Sequence, residues 1–216
     1  MRTLTGTEFL ERALVKKYRK ELWQPCIAAV KRYSLLSPGD RVAVPLDGTG
    51  AAFVMAKLLQ EICRHTDFPF SLAFFADGET ANRAEELGIP VRPAAELDPG
   101  AFTVLAAPEC MTDAVETVLD AMLHRGELRC FLPRETRPEG GFLIRPLYCV
   151  ERRDIRAWHR YCGLSCVPSP AESEPGRLAV RALLDGLRRE NPNVEISVFR
   201  SIHAVHLDTF RAFTGG

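Results

Sequence analysis

The residues best suited to bind an anion follow a short apolar segment near the start of the chain. Residues 41–46 predict a strand that runs into Asp47-Gly48-Thr49-Gly50, and a helical pattern follows over 51–62. Glycines let backbone N–H groups approach a phosphate, and the start of a helix adds positive potential. The segment therefore predicts the opening of a βαβ unit, with a glycine-containing loop between its strand and its helix. Asp47 places a carboxylate at the head of this loop, where it repels phosphate at close range.

Cysteines and histidines form a second set of candidate ligands. They are Cys110, Cys149, Cys162, Cys166, His159, His203 and His206. Cys162 and Cys166 form a C-x-x-x-C pair, which could join Cys149 or Cys110 in a metal site. A small buried residue at a helix end is, however, the commoner role of such cysteines. The histidines lack an evident third ligand, so we interpret them as surface or interfacial side chains. We assign no metal site from the sequence.

The hydrophobic pattern alternates between strands and helices. Strands are predicted over 41–46, 70–76, 89–91, 102–106 and 142–144. Alternation of this kind is typical of a mostly parallel sheet with helices on both faces. We expect a doubly wound α/β fold of about five strands, with an N-terminal helical segment over 1–36, the α/β domain over 37–166 and a C-terminal helical segment over 167–216.

Composition excludes several classes of protein. The chain has 216 residues, of which 46% are hydrophobic and 26% charged, with 28 basic and 28 acidic side chains. These values suit a globular domain and exclude disordered, collagen-like and disulfide-stapled chains. No apolar stretch approaches the 18 or so residues of a membrane span, and no signal peptide is evident. We expect a cytoplasmic protein with reduced thiols and no membrane partner.

The balanced net charge conceals a segregation of signs. Residues 1–60 contain 10 basic and 5 acidic groups, whereas residues 61–120 contain 3 basic and 12 acidic groups. The densest basic cluster is 16–20, Lys-Lys-Tyr-Arg-Lys, and a second lies over 152–160. One interpretation is a set of solvated helix faces. The other is that the basic segments converge on a polyanion such as RNA.

Four stretches carry a family resemblance. They are Gly39–Val44 leading into the loop, Asp113–Thr117, Ile144-Arg145-Pro146-Leu147 followed by Asp154-Ile155, and Phe199-Arg200. In this order they resemble the PP-loop ATP pyrophosphatase superfamily and, more narrowly, the tRNA 2-thiocytidine biosynthesis proteins. The resemblance covers roughly residues 25–207.

The resemblance implies a site and its ligands. The loop of Asp47, Gly48, Thr49 and Gly50 would bind ATP with Mg²⁺, and tRNA or another RNA would be the partner. Arg145 would contact a phosphate, or pair with a carboxylate such as Asp113 or Glu116 as part of the scaffold. Asp113 is the candidate catalytic residue: with Asp47 it would bind a cation or act as a base, unless both merely cap helices. Members of this family often pair, so a homodimer or a protein partner is expected.

The departures from the family pattern shape the functional expectation. Asp47 stands where the family has serine, and Ala51 and Ala52 replace an aspartate and a second serine. Both C-x-x-C pairs are missing: the first would fall between residues 91 and 102, the second on 169–172. We therefore expect weak or absent ATP binding and no iron–sulfur cluster.

Two main functions follow from these departures. The first is a degenerate relative, a pseudoenzyme that binds a nucleotide, RNA or a protein partner. The alternative is an ATP-dependent tRNA-modifying enzyme with a rearranged site. A third candidate is altered chemistry in the same cleft.

Overall fold

The computed structural model describes residues 6–164, Val167 and 175–204. These residues form two compact units. The first comprises the described parts of 1–111 and 132–169, and the second those of 112–131 and 170–216. The segment boundaries predicted at residues 36 and 166 stay predictions. The Pro-rich stretch over 167–175 lies outside the described residues apart from its two ends.

The first unit begins with a helical segment that contains two π-helical stretches. Helix α1 (Gly6–Arg12) leads into Ala13–Lys17 and Arg19–Trp23, which are π-helical, and then into α2 (Gln24–Arg32). Pro25 lies in the first turn of α2, where its missing N–H costs no helical hydrogen bond. Thr5, which precedes α1, lies outside the described residues.

A six-stranded sheet follows in the same unit. Its strands are β1 (Arg41–Pro45), β2 (Ser71–Phe75), β3 (Val91–Arg92), β4 (Val104–Ala106), β5 (Arg134–Thr136) and β6 (Phe142–Ile144). The order is β3-β2-β1-β4-β6-β5, and every pairing is parallel except that of β5 with β6. The chain winds outward from β1 on one side and from β4 on the other, which places a topological switch point between these strands. The predicted doubly wound α/β fold is confirmed.

The sheet has one strand more than the sequence pattern predicts. Strand β5 is short, antiparallel and at the edge, and its sequence is Arg-Glu-Thr. An edge strand with exposed polar side chains lacks the continuous apolar run that marks the buried parallel strands.

Three further helices belong to the first unit, and the core lies between them and the sheet. They are α3 (Gly50–His65), α4 (Gly78–Glu86) and α6 (Arg152–Cys162). Helix α3 is buried along most of its length, because it packs against both the sheet and α6. The largest fully buried apolar side chains of this core include Trp158, Phe53, Leu14, Leu22, Met55, Leu58 and Leu59.

The second unit is helical. It contains α5 (Met111–Asp120) from residue 112 onward, the π-helical Ala121–Arg125, α7 (Pro175–Glu190) and α8 (Val194–His203). Val180, Leu184 and Phe199 are its buried apolar side chains on α7 and α8. None of the described helices, in either unit, has the length and apolar character needed to cross a membrane.

A buried ammonium group holds the N-terminal segment against the rest of the first unit. Lys57 on α3 is fully buried, and its Nζ donates to Glu11 Oε1 of α1 at 2.9 Å and to the Leu87 carbonyl at 3.1 Å. Glu11 also pairs with Arg64 at 3.0 Å. Burial raises the pKa of Glu11, but the hydrogen bonds and charges of Lys57 and Arg64 outweigh it and lower the pKa overall.

Replacing Glu11 with Gln tests this contact. We expect the free energy of unfolding at pH 7 to fall by about 1–3 kcal/mol, because the ammonium group stays buried beside an uncharged partner. The folded pKa of Glu11 lies below its usual 4.5, so its contribution is complete above that pH and is lost as the pH falls through the folded pKa. Urea titrations at successively lower pH should therefore show the difference from the native protein shrinking.

The matched control is Glu21→Gln. Glu21 is an exposed carboxylate on the same helical segment, and its replacement should change stability by less than about 0.5 kcal/mol. Equal effects of the two substitutions would contradict the role given to Glu11.

Candidate functional site

The loop after β1 is closed by its own carboxylate. Asp47 Oδ1 accepts hydrogen bonds from the Thr49 backbone N–H at 2.9 Å and from the Thr49 hydroxyl at 2.6 Å. Thr49 is also the N-cap of α3, because its Oγ1 accepts from the Ala52 N–H at 3.2 Å. Three donors that could face a phosphate are thus satisfied within the loop itself.

Contacts from distant parts of the first unit hold the same loop. His159 Nε2 lies 2.9 Å from the Gly50 carbonyl, and the Val167 N–H donates to the Gly48 carbonyl at 3.3 Å. Burial lowers the pKa of His159, although its hydrogen bond to Gly50 acts in the opposite direction. The ring is therefore neutral at pH 7, with the Nε2 proton donated to the carbonyl. The interpretation of His159 as a surface residue is wrong, because it is 3% exposed.

Gly48 is required at its position for two reasons. Its φ of +80° lies in the left-handed region, which glycine tolerates best. A Cβ atom built there would lie 2.8 Å from Thr80 Oγ1 of α4. The glycine thus serves the loop's own packing, independently of any bound phosphate.

The loop after β4 borders the same switch point and is also acidic. Strand β4 pairs with β1, and Glu109 follows it. Arg145, which follows β6, is buried and pairs through Nε with Glu109 at 3.4 Å and through Nη1 with Glu135 at 3.0 Å. Two carboxylates around one guanidinium leave no excess positive charge there. The role of Arg145 as a phosphate ligand stays a prediction.

The candidate catalytic Asp113 belongs to the second unit. It lies in the first turn of α5, and its Oδ1 is 3.9 Å from Arg177 Nη1 of α7. Glu116, also on α5, is buried and receives Arg181 through two hydrogen bonds of 2.8 and 3.1 Å. These acids, which we considered as partners of Arg145, thus pair with arginines of α7. That Asp47 and Asp113 act together stays a prediction.

The cysteines and remaining histidines provide no metal site in the described part of the chain. No group of three or more His, Cys, Asp and Glu side chains there could hold a metal ion. Cys162 is half-buried, and burial raises the pKa of its thiol to about 11 against the opposing charge of Lys17. His203 Nδ1 lies 2.9 Å from the Phe199 carbonyl on α8. Cys166 and His206 fall outside the described residues.

The structure does bring the two basic clusters together. The Tyr18 hydroxyl donates to the Ala157 carbonyl of α6 at 3.0 Å, which joins the N-terminal segment to that helix. Between them lies a groove of about 270 Å³, here called the cation groove, lined by Phe9, Arg12, Ala13, Lys16, Lys17 and Tyr161. Sequence reasoning missed Phe9, Arg12 and Tyr161, because the two aromatic residues belong to opposite ends of the first unit's sequence.

The chain is similar in sequence to known tRNA sulfurtransferases. No family model matches it. A tRNA-cytidine(32) 2-sulfurtransferase of Geobacter metallireducens is 25% identical over an alignment of 232 residues, which covers 87% of this chain and 90% of the relative. The enzyme of the same name from Geobacter sulfurreducens is 24% identical, covering 90% and 92%. These similarities support the predicted resemblance to the PP-loop family of tRNA sulfurtransferases.

A solved structure shares the family fold and corrects one expectation. The U34-tRNA thiolase NcsA from Methanococcus maripaludis, with its 4Fe–4S cluster, matches with a TM-score of 0.61 at 16% identity, over 88% of this chain and 80% of that one. The expectation of no iron–sulfur cluster is therefore wrong, because this neighbour of the same fold carries one. The described residues assemble no cluster ligands, and the predicted second C-x-x-C position, 169–172, lies outside them. We derive no reaction step through a cluster.

Alanine substitutions at two glycines separate backbone strain from packing in the loop. Gly39 and Gly48 have φ values of +81° and +80°, but only the Gly48 Cβ would meet a neighbour. Gly39→Ala should cost about 1 kcal/mol of unfolding free energy through φ alone. Gly48→Ala should cost about 1–3 kcal/mol more because of Thr80.

A double variant that also removes the Thr80 hydroxyl completes the test. Urea denaturation of Gly48→Ala combined with Thr80→Ala should return the cost to that of Gly39→Ala. An equal cost for the two single variants would show that the close approach of Thr80 does not constrain the loop.

The thiol of Cys162 should be unreactive near neutral pH. With a pKa of about 11, only about three molecules in ten thousand carry the thiolate at pH 7.5. We expect its alkylation by iodoacetamide, followed by site-resolved mass spectrometry, to accelerate nearly tenfold per pH unit between about pH 8 and 10. The same protein unfolded in urea is the control and should react quickly at pH 7.5. Rapid alkylation of the folded protein would instead favour a nucleophilic Cys162.

Proposed function

We propose that this chain is a tRNA-binding member of the sulfurtransferase family that does not activate its RNA with ATP. The observation that supports this most directly is the closure of the loop by Asp47, whose carboxylate accepts both Thr49 donors. In a phosphate loop, such donors are the groups that must face the anion. Here the Asp47 carboxylate takes the place of that anion.

Electrostatics support the same conclusion. A carboxylate about 4 Å from a phosphate charge opposes its binding by about 1–4 kcal/mol, depending on how much water screens the pair. The nearby guanidinium of Arg145 is paired with two carboxylates, so it does not offset the repulsion. The Thr49 donors of the loop are therefore occupied, and the local charge repels a nucleoside triphosphate.

RNA as the ligand is supported by the relatives and by the basic helices. The curated relatives and the structural neighbour are enzymes that act on tRNA by name. Residues 6–23 contain five basic and three acidic side chains. One of the three acids, Glu11, is neutralised by Lys57 and Arg64. The surface of this segment therefore has an excess of positive charge suited to a phosphate backbone.

Calorimetric titration with ATP and Mg²⁺ tests the closed loop. We expect the native protein to bind ATP with a dissociation constant of about 1 mM or weaker, since three donors of the loop are already satisfied within it and the Asp47 carboxylate repels phosphate. Asp47→Ser removes the carboxylate and should tighten binding by about 5- to 100-fold. The control is Asp67→Ser, which removes one exposed charge before β2, at the opposite end of the strands, and should leave binding unchanged.

A second measurement addresses catalysis. Release of AMP and pyrophosphate from ATP in the presence of tRNA should not rise above the level without protein. Micromolar ATP binding by the native protein, or tRNA-dependent pyrophosphate release, would contradict the proposal and favour the rearranged enzyme.

A further inference from the structure

We infer that the cation groove binds an unpaired nucleotide of RNA, with its base against the aromatic side chains and its phosphates against the three cations. This inference rests on the proposed RNA-binding function and assigns it a site. The groove lies between the N-terminal segment and α6, and its only described polar lining groups are cationic or phenolic. Its chemistry therefore matches the two parts of a nucleotide.

The aromatic side chains form a stacking surface. The rings of Phe9 and Tyr161 have centroids 5.5 Å apart and are inclined by 28°. Tyr161 also contacts Tyr18, with centroids 5.8 Å apart. Phe9 and Tyr161 are 38% and 40% exposed, so the pair presents ring surface to solvent that the core does not use. Two stacked rings, one of them supported by its contact with Tyr18, provide a surface on which the face of a base can stack.

Three cations surround this surface. Arg12, Lys16 and Lys17 line the groove and are exposed. Glu11, the acid adjacent to Arg12, is paired with Lys57 and Arg64, so it does not cancel these charges. Three positive groups within one small groove can contact adjacent phosphates of a single strand.

Lys17 provides a means of exchange between the free and bound states. Its Nζ lies 3.3 Å from the centroid of the Tyr161 ring. A cation–π contact at an exposed site is weaker than the stacking of a base on an aromatic ring. An incoming base can therefore displace the ammonium group from the ring, and the released group reaches a phosphate of the same nucleotide.

An unpaired nucleotide fits better than a duplex. In a helix the bases are stacked on one another and present only their edges, so the ring surface of Phe9 and Tyr161 would have no partner. An acidic protein segment would satisfy the cations but would leave the same aromatic surface unused. The combination of rings and cations is what selects single-stranded RNA.

Fluorescence anisotropy with two RNA probes tests the site. The probes are a labelled oligouridylate of about 12 nucleotides and an RNA duplex of about 12 base pairs, at about 50 mM salt. We expect tighter binding of the single strand. Tyr161→Leu keeps an apolar side chain but removes the ring, and should weaken single-strand binding by about 10-fold with little effect on the duplex.

Charge variants provide the second arm. Lys16→Gln should weaken binding of the single strand and reduce its salt dependence by about 0.7 in log–log slope, the value for one lost phosphate contact. Lys31→Gln is the matched control, since Lys31 is an exposed lysine of α2 that does not line the groove, and it should bind like the native protein. Circular dichroism verifies that each variant is folded.

The outcomes separate the site from the function. If the native protein binds RNA but Tyr161→Leu and Lys16→Gln bind equally well, or Lys31→Gln weakens binding as much, the groove is not the site while RNA binding stands. If polyglutamate competes as effectively as oligouridylate, the groove is an acidic-protein surface and the inference fails. If the native protein binds neither probe nor bulk tRNA, the proposed function fails as well.

Discussion

The fully buried ammonium group of Lys57 is the constraint on which the arrangement of the first unit depends. A charge removed from water requires a partner, and the partners here come from two other elements: Glu11 of α1 and the carbonyl of Leu87. Satisfying Lys57 therefore fixes α1 against α3 and the end of α4. The Tyr18 hydroxyl fixes the continuation of the same segment against α6. These contacts hold Phe9 and Tyr161 together, so the cation groove is a consequence of how one buried charge is neutralised.

In the loop after β1 the group with partners inside the protein is an anion, the Asp47 carboxylate, rather than a cation. The strand, the glycines and the start of α3 form the predicted strand–loop–helix unit, and Asp47 accepts hydrogen bonds from both donors of Thr49 in its loop. The contacts of His159 and Val167 with the loop carbonyls then fix its backbone from outside. A loop held in this way does not need a ligand to be ordered.

The sequence predicted the parts of this structure that depend on local pattern. The strand–loop–helix unit around residues 41–62 was predicted because an apolar run indicates a buried element and a glycine indicates a turn at its own position in the sequence. It did not predict β5, whose Arg-Glu-Thr sequence has no apolar run. It also could not show that Asp47 turns toward Thr49, because the identity of a carboxylate does not say which donor it meets. The pairing of Phe9 with Tyr161 depends on the folded path of the whole first unit.

The electrostatics of the chain connect the two sites. With 28 basic and 28 acidic groups, the protein has no net charge to attract RNA from a distance, and at physiological salt fields decay over about 8 Å. Attraction must therefore come from charges placed close together on one surface. The pairing of Glu11 with Lys57 and Arg64 serves this purpose as well as holding α1, because it neutralises a carboxylate that is adjacent to Arg12 in the sequence. The acids at the switch point, Asp47 and Glu109, meanwhile lie where they oppose a nucleotide. In the proposed function, segregated charges on a neutral chain favour RNA at the helices and disfavour a nucleotide at the strand ends, which a uniform distribution of charge could not do.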